Sequence, residues 1–543
     1  MGMATARTFP KFFHLLAICA GLQGGDWAAV ASESTPAPTI IRVTGYSPWA
    51  WSPPTRARRS ALDTFLRDMR DPQTGKPWNK LVEIRPDNPL SFPGFSLKIL
   101  NFAAGTGEEV VTTSDGIMQF FQYRDQRFLL PLNPFIWKVR EDSSGRPLRL
   151  PDGGWDYEPG PDNGRILLWK SWENIPPVFR EMLEWNGEVY GVPTRIFASG
   201  LMYRRDLFRR AGLDPDSPPA TWDGFFDAAL RIGAATRGEA YGVHLTNAVA
   251  DSYLLGLGGK YARKEILGDG KSRWISLVDS PEMIQTIRFL RKLTLVKWVI
   301  DDHGAPVVVW LPDGGEAAEG VVWSGAPNAI GSSVTVSGRT YSGAEIFTGV
   351  AFNQVGGTPT STNVRWFDLF TQVPARLGMA LNTTENLASF SANMDPALLG
   401  FAPVPAGPEG RGVFAQGEIA GLNYILARDR EKARLAWAVL GFLAGDEYSV
   451  LAARSYARES EGIAETLPPQ VLERAGLATI AERIPPGLRE FWQTLPGTLR
   501  PVVPAKNFQA INNQYLAPIL RSATADPDFD FESALAGARE QIQ

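Results

Sequence analysis

Residues 186–230 read NGEVYGVPTRIFASGLMYRRDLFRRAGLDPDSPPATWDGFFDAAL, and their order decides how the rest of the chain is read. Gly187–Pro193 is a turn with Gly and Pro at fixed places. An apolar run follows and ends at Leu201–Tyr203. The polar-to-apolar step Asp206–Phe208 comes next, then Ala211–Leu213, a Pro-rich turn and Thr221–Asp223. Thr221 is an N-cap candidate, because Trp222, Phe225, Phe226, Ala229 and Leu230 recur at helical spacing and share one face. Gly233 sits where a C-cap belongs.

Working outward, Thr39–Thr44 is rich in β-branched residues and reads as a strand. It runs into a loop, GYSPWAW at 45–51, with three aromatics. Residues 59–70 read as a helix, Leu97–Phe102 as a second strand, and Val110–Thr113 as a third that ends at Ser114-Asp115-Gly116. Further on, Ala436, Val439, Leu440 and Leu443 share a helix face, with Gly445 after them. Strands alternating with helices predict an α/β fold with parallel strands. Residues 141–164 are rich in Gly, Pro and Asp and read as a surface excursion. Residues 311–363 hold many Gly, Ser and Thr and read as a second irregular insertion or a short β region.

A length of 543 residues is too great for one simple core, so at least two lobes are expected. The composition, 44% hydrophobic and 21% charged, excludes disorder of the bulk. A net charge of −4 gives no electrostatic support for a nucleic-acid partner. One Cys and three His exclude a disulfide framework, a Cys-rich zinc site or a thiol redox pair within one chain, and leave little room for a His-rich metal centre. No metal and no cofactor is expected. The 17 Trp are many for cores alone, so some are expected to face a ligand.

Residues 1–31 have the parts of a secretory signal: Arg7 and Lys11, the short apolar run Phe12–Leu22, and the small residues Ala29-Val30-Ala31. The run is too short for a mature span, which needs about 20 apolar residues. Cys19 offers a lipoprotein site instead, but Ile18 before it is not small. Cleavage after Ala31 and a periplasmic location are therefore expected.

The stretch quoted first resembles the central segment of the extracellular solute-binding proteins of ABC importers, family 1, which includes sugar and oligosaccharide binders. Arg376–Phe390 (RLGMALNTTENLASF), Leu399–Gly410 (LGFAPVPAGPEG), Gly421–Glu447 with its Ala436-Trp437 pair, Arg500–Pro504, Ile511–Leu520 and Phe531–Ile542 are similar to later segments of that family. The resemblance implies a two-lobed periplasmic-binding-protein fold with discontinuous lobes and an inter-lobe cleft. It implies lobes of 39–197 plus 420–445 and 201–416 plus 448–543, with crossings near Phe197–Leu201, near Gly417–Tyr424 and just after Gly445.

The resemblance also suggests ligand contacts. Trp49 and Trp51 stand where the family places a cleft loop, and would either face the ligand or staple the loop. Ser114 and Asp115 end a strand, and in open α/β sheets ligands lie beyond the carboxyl ends of strands. Asp115 would accept hydroxyls or cap the helix at 116–122. Thr194 and Arg195 approach the hinge, where Arg195 offers a planar fork to a ligand or an inter-lobe salt bridge. The loop 382–386 often carries an aromatic platform in the family. Glu385 replaces it here, and with Asn386 favours polar contacts or an amine-bearing ligand, while Thr383 and Thr384 can cap the next helix. Gly421 and Asn423 lie on the second crossing strand, and Phe508 follows the Pro504 turn.

The implied function is capture of a small carbohydrate-like solute by lobe closure and its delivery to the permease of an ABC transporter, by a monomer without catalysis. The alternatives are an exported carbohydrate-active hydrolase or lyase, and a ligand sensor that docks on a membrane receptor. No nucleophile-elbow or zinc-helix motif supports the enzyme.

Overall fold

Two mixed sheets, each with helices packed against it, carry the architecture of the computed structural model, which describes residues 37–44, 53–86, 101, 107–113, 117–161, 164–268, 272–357, 363–503 and 511–542. The first sheet runs in the order Val82–Pro86, Thr39–Val43, Val110–Thr112, Gln416–Asn423, Leu129–Leu130, and Val192–Phe197 also pairs with Gln416–Asn423. Its first three strands are parallel, while Gln416–Asn423 is antiparallel to its neighbours. The second sheet runs Ala351–Asn353, Tyr241–Leu245, Leu377–Thr383, Ser199–Arg204, Leu399–Ala402. It too joins a parallel set to an antiparallel strand, Ser199–Arg204.

The chain passes between the two sheets at two places. Val192–Phe197 belongs to the first sheet and Ser199–Arg204 to the second, with only Ala198 between them. The return runs from Leu399–Ala402 to Gln416–Asn423. The helix Asp446–Glu459, after Gly445, packs along the helix Pro53–Asp68, and Arg56 joins Glu459 at 2.7 Å. The chain therefore stays with the first sheet beyond the point where the third crossing was expected. Past it, Glu461–Ala464 packs on Leu387–Asn393 and Pro486–Thr498 on Leu399–Ala402 of the second sheet.

Local chemistry explains the elements. Ile41 and Val43 are fully buried in the first strand. The helix expected at 59–70 spans Pro53–Asp68, because Pro is well placed in a first turn whose N–H groups need no partner. Its Ala57, Ala61, Leu62 and Phe65 are buried, and Phe65 stacks on Phe442 at 4.5 Å. Thr221 caps the helix Trp222–Ala235 by accepting from the Gly224 N–H at 3.2 Å. Gly233 is not the C-cap: it lies inside that helix, where an added Cβ would stand 3.1 Å from the Trp298 ring. Small size, not helix termination, is what the position requires.

The excursion at 141–164 folds back on itself through the bridges Val139–Tyr157, Arg149–Trp155 and Pro159–Arg165. The Arg149 guanidinium lies 3.8 Å over the Trp155 ring, and Arg149 reaches Glu188 at 2.5 Å. Within 311–363, the strands Val322–Ser324, Ser333–Val336 and Arg339–Ser342 form an antiparallel meander over a small second core of Val299, Val309, Val334, Val336 and Tyr341. Ser337 and Gly338, both at positive φ, make its tight hairpin turn. The expected strand at 97–102 falls outside the described residues except for Asn101, as does the whole of 1–31.

Candidate ligand-binding site

In each sheet, a parallel strand ends at a helix N-terminus that faces the same cavity. Val110–Thr112 leads toward Ile117–Asp125, whose Ile117 and Met118 line it. Tyr241–Leu245 leads into Asn247–Gly256, which contributes Asn247, Ala250 and Asp251. The crossing ladder supplies Phe197 and Gln416, paired in register. Tyr261, Phe414, Val502, Val503, Asn512 and Leu520 complete a space of about 260 Å³. The geometry follows the rule that ligands in open α/β sheets sit beyond the carboxyl ends of strands.

The lining is amphipathic. Phe197, Tyr261 and Phe414 present rings, and Tyr261 and Phe414 stack at 6.0 Å. Asp251 accepts the Tyr261 hydroxyl at 2.5 Å. Burial pushes the Asp251 carboxyl up to about 6, against the opposing pull of that hydrogen bond. Burial also raises the Tyr261 hydroxyl, and the neighbouring carboxylate adds to it. Asn247 accepts from the Gly356 N–H at 3.0 Å, which fixes its amide. The Gln416 and Asn512 amides have no partner among the described residues, so their donors and acceptors are available to a ligand. Asn512 opens a π-helical turn, Asn512–Leu516, a distortion that often marks functional sites. Apolar rings beside a few convergent polar groups fit a polyhydroxylated ring, which has C–H faces and hydroxyl edges. Among the described residues, no group of three or more His, Cys, Asp or Glu side chains is arranged to hold a metal.

A second, open cavity of about 1520 Å³ adjoins the first and shares Tyr261, Phe414, Val502 and Val503 with it. It extends between Arg124–Pro131 and the hairpin Glu184–Val189 on one side and the segment 255–264 with Trp274 on the other.

The residues singled out in the sequence fall into three groups. Trp49, Trp51, Ser114, Asp115 and Phe508 lie outside the described residues. Thr194 and Arg195 lie on the first crossing strand, where Glu418 of the second engages both. Arg195 donates to Glu418 at 2.7 and 3.0 Å, the Thr194 hydroxyl lies 3.0 Å from the same carboxylate, and Arg58 binds its other side at 2.7 Å. Arg195 therefore forms a salt bridge, but within the first sheet, between two of its paired strands, and not between the sheets. Burial opposes the Glu418 charge, but Arg58 and Arg195 outweigh it and hold the carboxyl below the usual range.

In the third group, Gly421, Asn423 and Asn386 line neither cavity. Gly421 is buried, and a Cβ there would stand 2.5 Å from the Tyr190 carbonyl oxygen. Asn423 is fully buried, donates to the Glu108 carbonyl at 2.9 Å and accepts from the Ile425 N–H at 3.2 Å, so it serves as a helix cap. Asn386 donates to Asn382 at 2.9 Å within the turn Thr384–Asn386, where Glu385 also stands, and Thr384 ties that turn to Ala198 through a backbone bond of 3.0 Å.

Removing Glu418 leaves two guanidinium groups without their shared anion. Arg195 is 37% exposed, which lowers the cost, and Glu418→Ala is expected to destabilise the fold by about 3 kcal/mol. A carboxyl held below its ordinary value stabilises the fold above that value, and the effect is lost as pH falls through the folded value. The stability gap between wild type and variant, read from urea titrations, should be full at neutral pH and shrink below about pH 4. A gap that stays constant with pH contradicts this account of the Glu418 cluster.

Comparison with known proteins agrees with the geometry. The family described as bacterial extracellular solute-binding protein matches residues 98–450. The fold is similar to that of the sugar-binding protein MalE from Xanthomonas citri, with a TM-score of 0.55 at 16% identity over 93% of this chain and 96% of that one. It is also similar to the cyclic alpha-maltosyl-1,6-maltose binding protein from Arthrobacter globiformis, with a TM-score of 0.53 at 16% identity over 93% and 98% of the two chains. A third similar structure is UgpB from Mycobacterium tuberculosis in complex with glycerophosphocholine, with a TM-score of 0.54 at 15% identity over 94% and 98%. At these identities the likeness is one of fold, with two lobes facing across a cleft, while the family match covers well over half of the sequence. The chain belongs to the bacterial extracellular solute-binding proteins.

Proposed function

We propose that the protein is an exported receptor that captures a small carbohydrate in the inner cavity and delivers it to the permease of an ABC transporter. The observation that carries this reading is the cavity's construction. One strand-to-helix junction from each sheet and the crossing ladder between the sheets all contribute to it, with rings beside unpaired amides and one carboxyl. A site built from both lobes is completed by closure, as the general behaviour of periplasmic binding proteins illustrates. The similar structures that bind sugars support the solute class. Export rests on the family and on the features of residues 1–31. The lobes are assigned as 39–197 with 420–459, and 201–416 with the chain after 460. The packing of Asp446–Glu459 on Pro53–Asp68 supports this limit over one at 445.

The test is a thermal-shift screen over mono- and oligosaccharides, polyols and amines, since a ligand bound only by the folded state raises its melting temperature. A carbohydrate hit is expected, and the sugar should be recovered chemically unchanged after long incubation. Turnover of the bound sugar would establish the hydrolase or lyase instead, and stabilisation by amines alone would overturn the solute class.

A further inference from the structure

Two half-exposed tryptophans line the outer cavity from opposite sides. Trp185 lies on the hairpin Glu184–Val189, with the Arg124 guanidinium 4.2 Å from its ring, and it keeps 44% of its surface exposed. Trp274 lies on the strand Ser272–Ser276, directly opposite Lys264 on the neighbouring strand, and is 40% exposed. Exposed indole rings in a cleft are platforms for the C–H faces of successive sugar units. The cavity they line is several times larger than the inner one and opens from it through Tyr261, Phe414, Val502 and Val503.

The charges in the same cavity are unbalanced. Arg127, Lys260, Arg263, Lys264 and Arg500 line it without a carboxylate partner among the described residues. Among the described residues, only Glu181 and Glu184 stand against them unpaired, because Asp125 is held by Arg124 and Glu188 by Arg149. The whole chain carries −4, so this excess of cations is local. Clefts lined by one sign of charge concentrate ligands of the opposite sign.

We propose that the outer cavity binds the body of an acidic oligosaccharide, whose anionic groups meet Arg127, Lys260, Arg263 and Lys264 while Trp185 and Trp274 stack on its rings, and whose end occupies the inner cavity. This rests on the carbohydrate reading above and extends it to a chain length and a charge. A short neutral sugar engages the inner cavity alone. A longer acidic chain gains contacts with every unit that enters the outer one.

The experiment is calorimetric titration of the full-length mature protein with two series at low and high salt. The first is galacturonic acid and its oligomers up to the pentamer, with a sulfated oligomer of similar length as a second acidic probe. The second is glucose and its α-1,4 oligomers of equal lengths. Affinity for the acidic series should rise at least tenfold with length and fall at high salt. The combined variant Lys260→Gln, Arg263→Gln, Lys264→Gln should lose about tenfold for the acidic pentamer. Trp185→Ala and Trp274→Ala should each weaken the pentamer while leaving the monomer or dimer unchanged. Equal gains with length in both series, or an affinity for long acidic chains that ignores salt and the triple variant, would overturn the charge assignment. No gain with length, or no binding of any acidic chain, would overturn the proposal as a whole. Binding of a short neutral sugar in those same titrations would leave the inner-cavity reading standing, so the two readings fail separately.

Discussion

Replacing Asp251 by Asn should weaken binding of the carbohydrate by about 10- to 100-fold, since a hydrogen bond to a charged group contributes about 1.5–3 kcal/mol. The substitution keeps shape and removes charge. Asp251 stands in the second turn of the helix Asn247–Gly256, lines the inner cavity, and uses one oxygen for the Tyr261 hydroxyl. Its other oxygen remains for a ligand hydroxyl. The pH profile gives an independent check. Burial pushes this carboxyl up to about 6 in the folded protein, above the ordinary 3.8. A folded-state value raised in this way means that the carboxyl favours the fold most at low pH and loses that contribution as pH rises from about 4 to about 6. Ligand binding has the opposite slope. A hydroxyl donated to the carboxylate favours the ionised form, so wild-type affinity should rise as pH passes upward through about 6 and level off above it. The Asp251→Asn variant should show a flat profile. A wild-type profile that is also flat, or one that falls with rising pH, removes Asp251 from the ligand's contacts.

The second large effect concerns stability without affinity. Gly421→Ala should destabilise the fold by about 2–3 kcal/mol, the usual cost of forcing atoms into a packed interior. Its Cβ would fall 2.5 Å from the Tyr190 carbonyl oxygen and 3.2 Å from the Leu129 side chain. The first of these is backbone, which cannot swing away. Because Gly421 lines neither cavity, the folded fraction should bind the carbohydrate as tightly as wild type. Chemical denaturation and calorimetry on the same preparation separate the two readouts. Unchanged stability with weakened binding would return Gly421 to the site, as the family resemblance first implied.

These two residues show where the sequence was legible. The family resemblance carried by residues 186–230 implied a crossing near Phe197–Leu201, and the chain passes from one sheet to the other at Ala198. The helix at Trp222 could be read because its cap and its apolar face are local. The cavity could not be assembled in this way. Arg195 was expected near the hinge as a ligand contact or a salt bridge, and its partner Glu418, 223 positions away, decides that the guanidinium is engaged within the protein. Phe197, two residues further along the same strand face, lines the cavity in its stead. Asn247 and Asp251 were missed because YGVHL followed by TNAVAD was not read as a strand feeding a helix. The strand-end rule applied to Ser114 and Asp115 would have found them there too. Gln416 and Asn512 carried no local signal: a single amide acquires meaning only when distant elements converge on it.

The excursion at 141–164 shows the same limit. Its Gly, Pro and Asp content correctly indicates surface, yet its fold-back depends on Arg149 over Trp155 and on the reach of Arg149 to Glu188. That contact places the excursion beside the hairpin bearing Trp185, which links an apparent insertion to the outer cavity.

The central claim is that one carbohydrate is held jointly by both lobes and the crossing ladder. A crystal structure of the protein with the sugar found in the thermal-shift screen tests it most directly. The account predicts a ring in the inner cavity against Phe197 and Phe414, with its hydroxyls on Asp251, Gln416 and Asn512. A sugar bound to one lobe only, away from these residues, would contradict it.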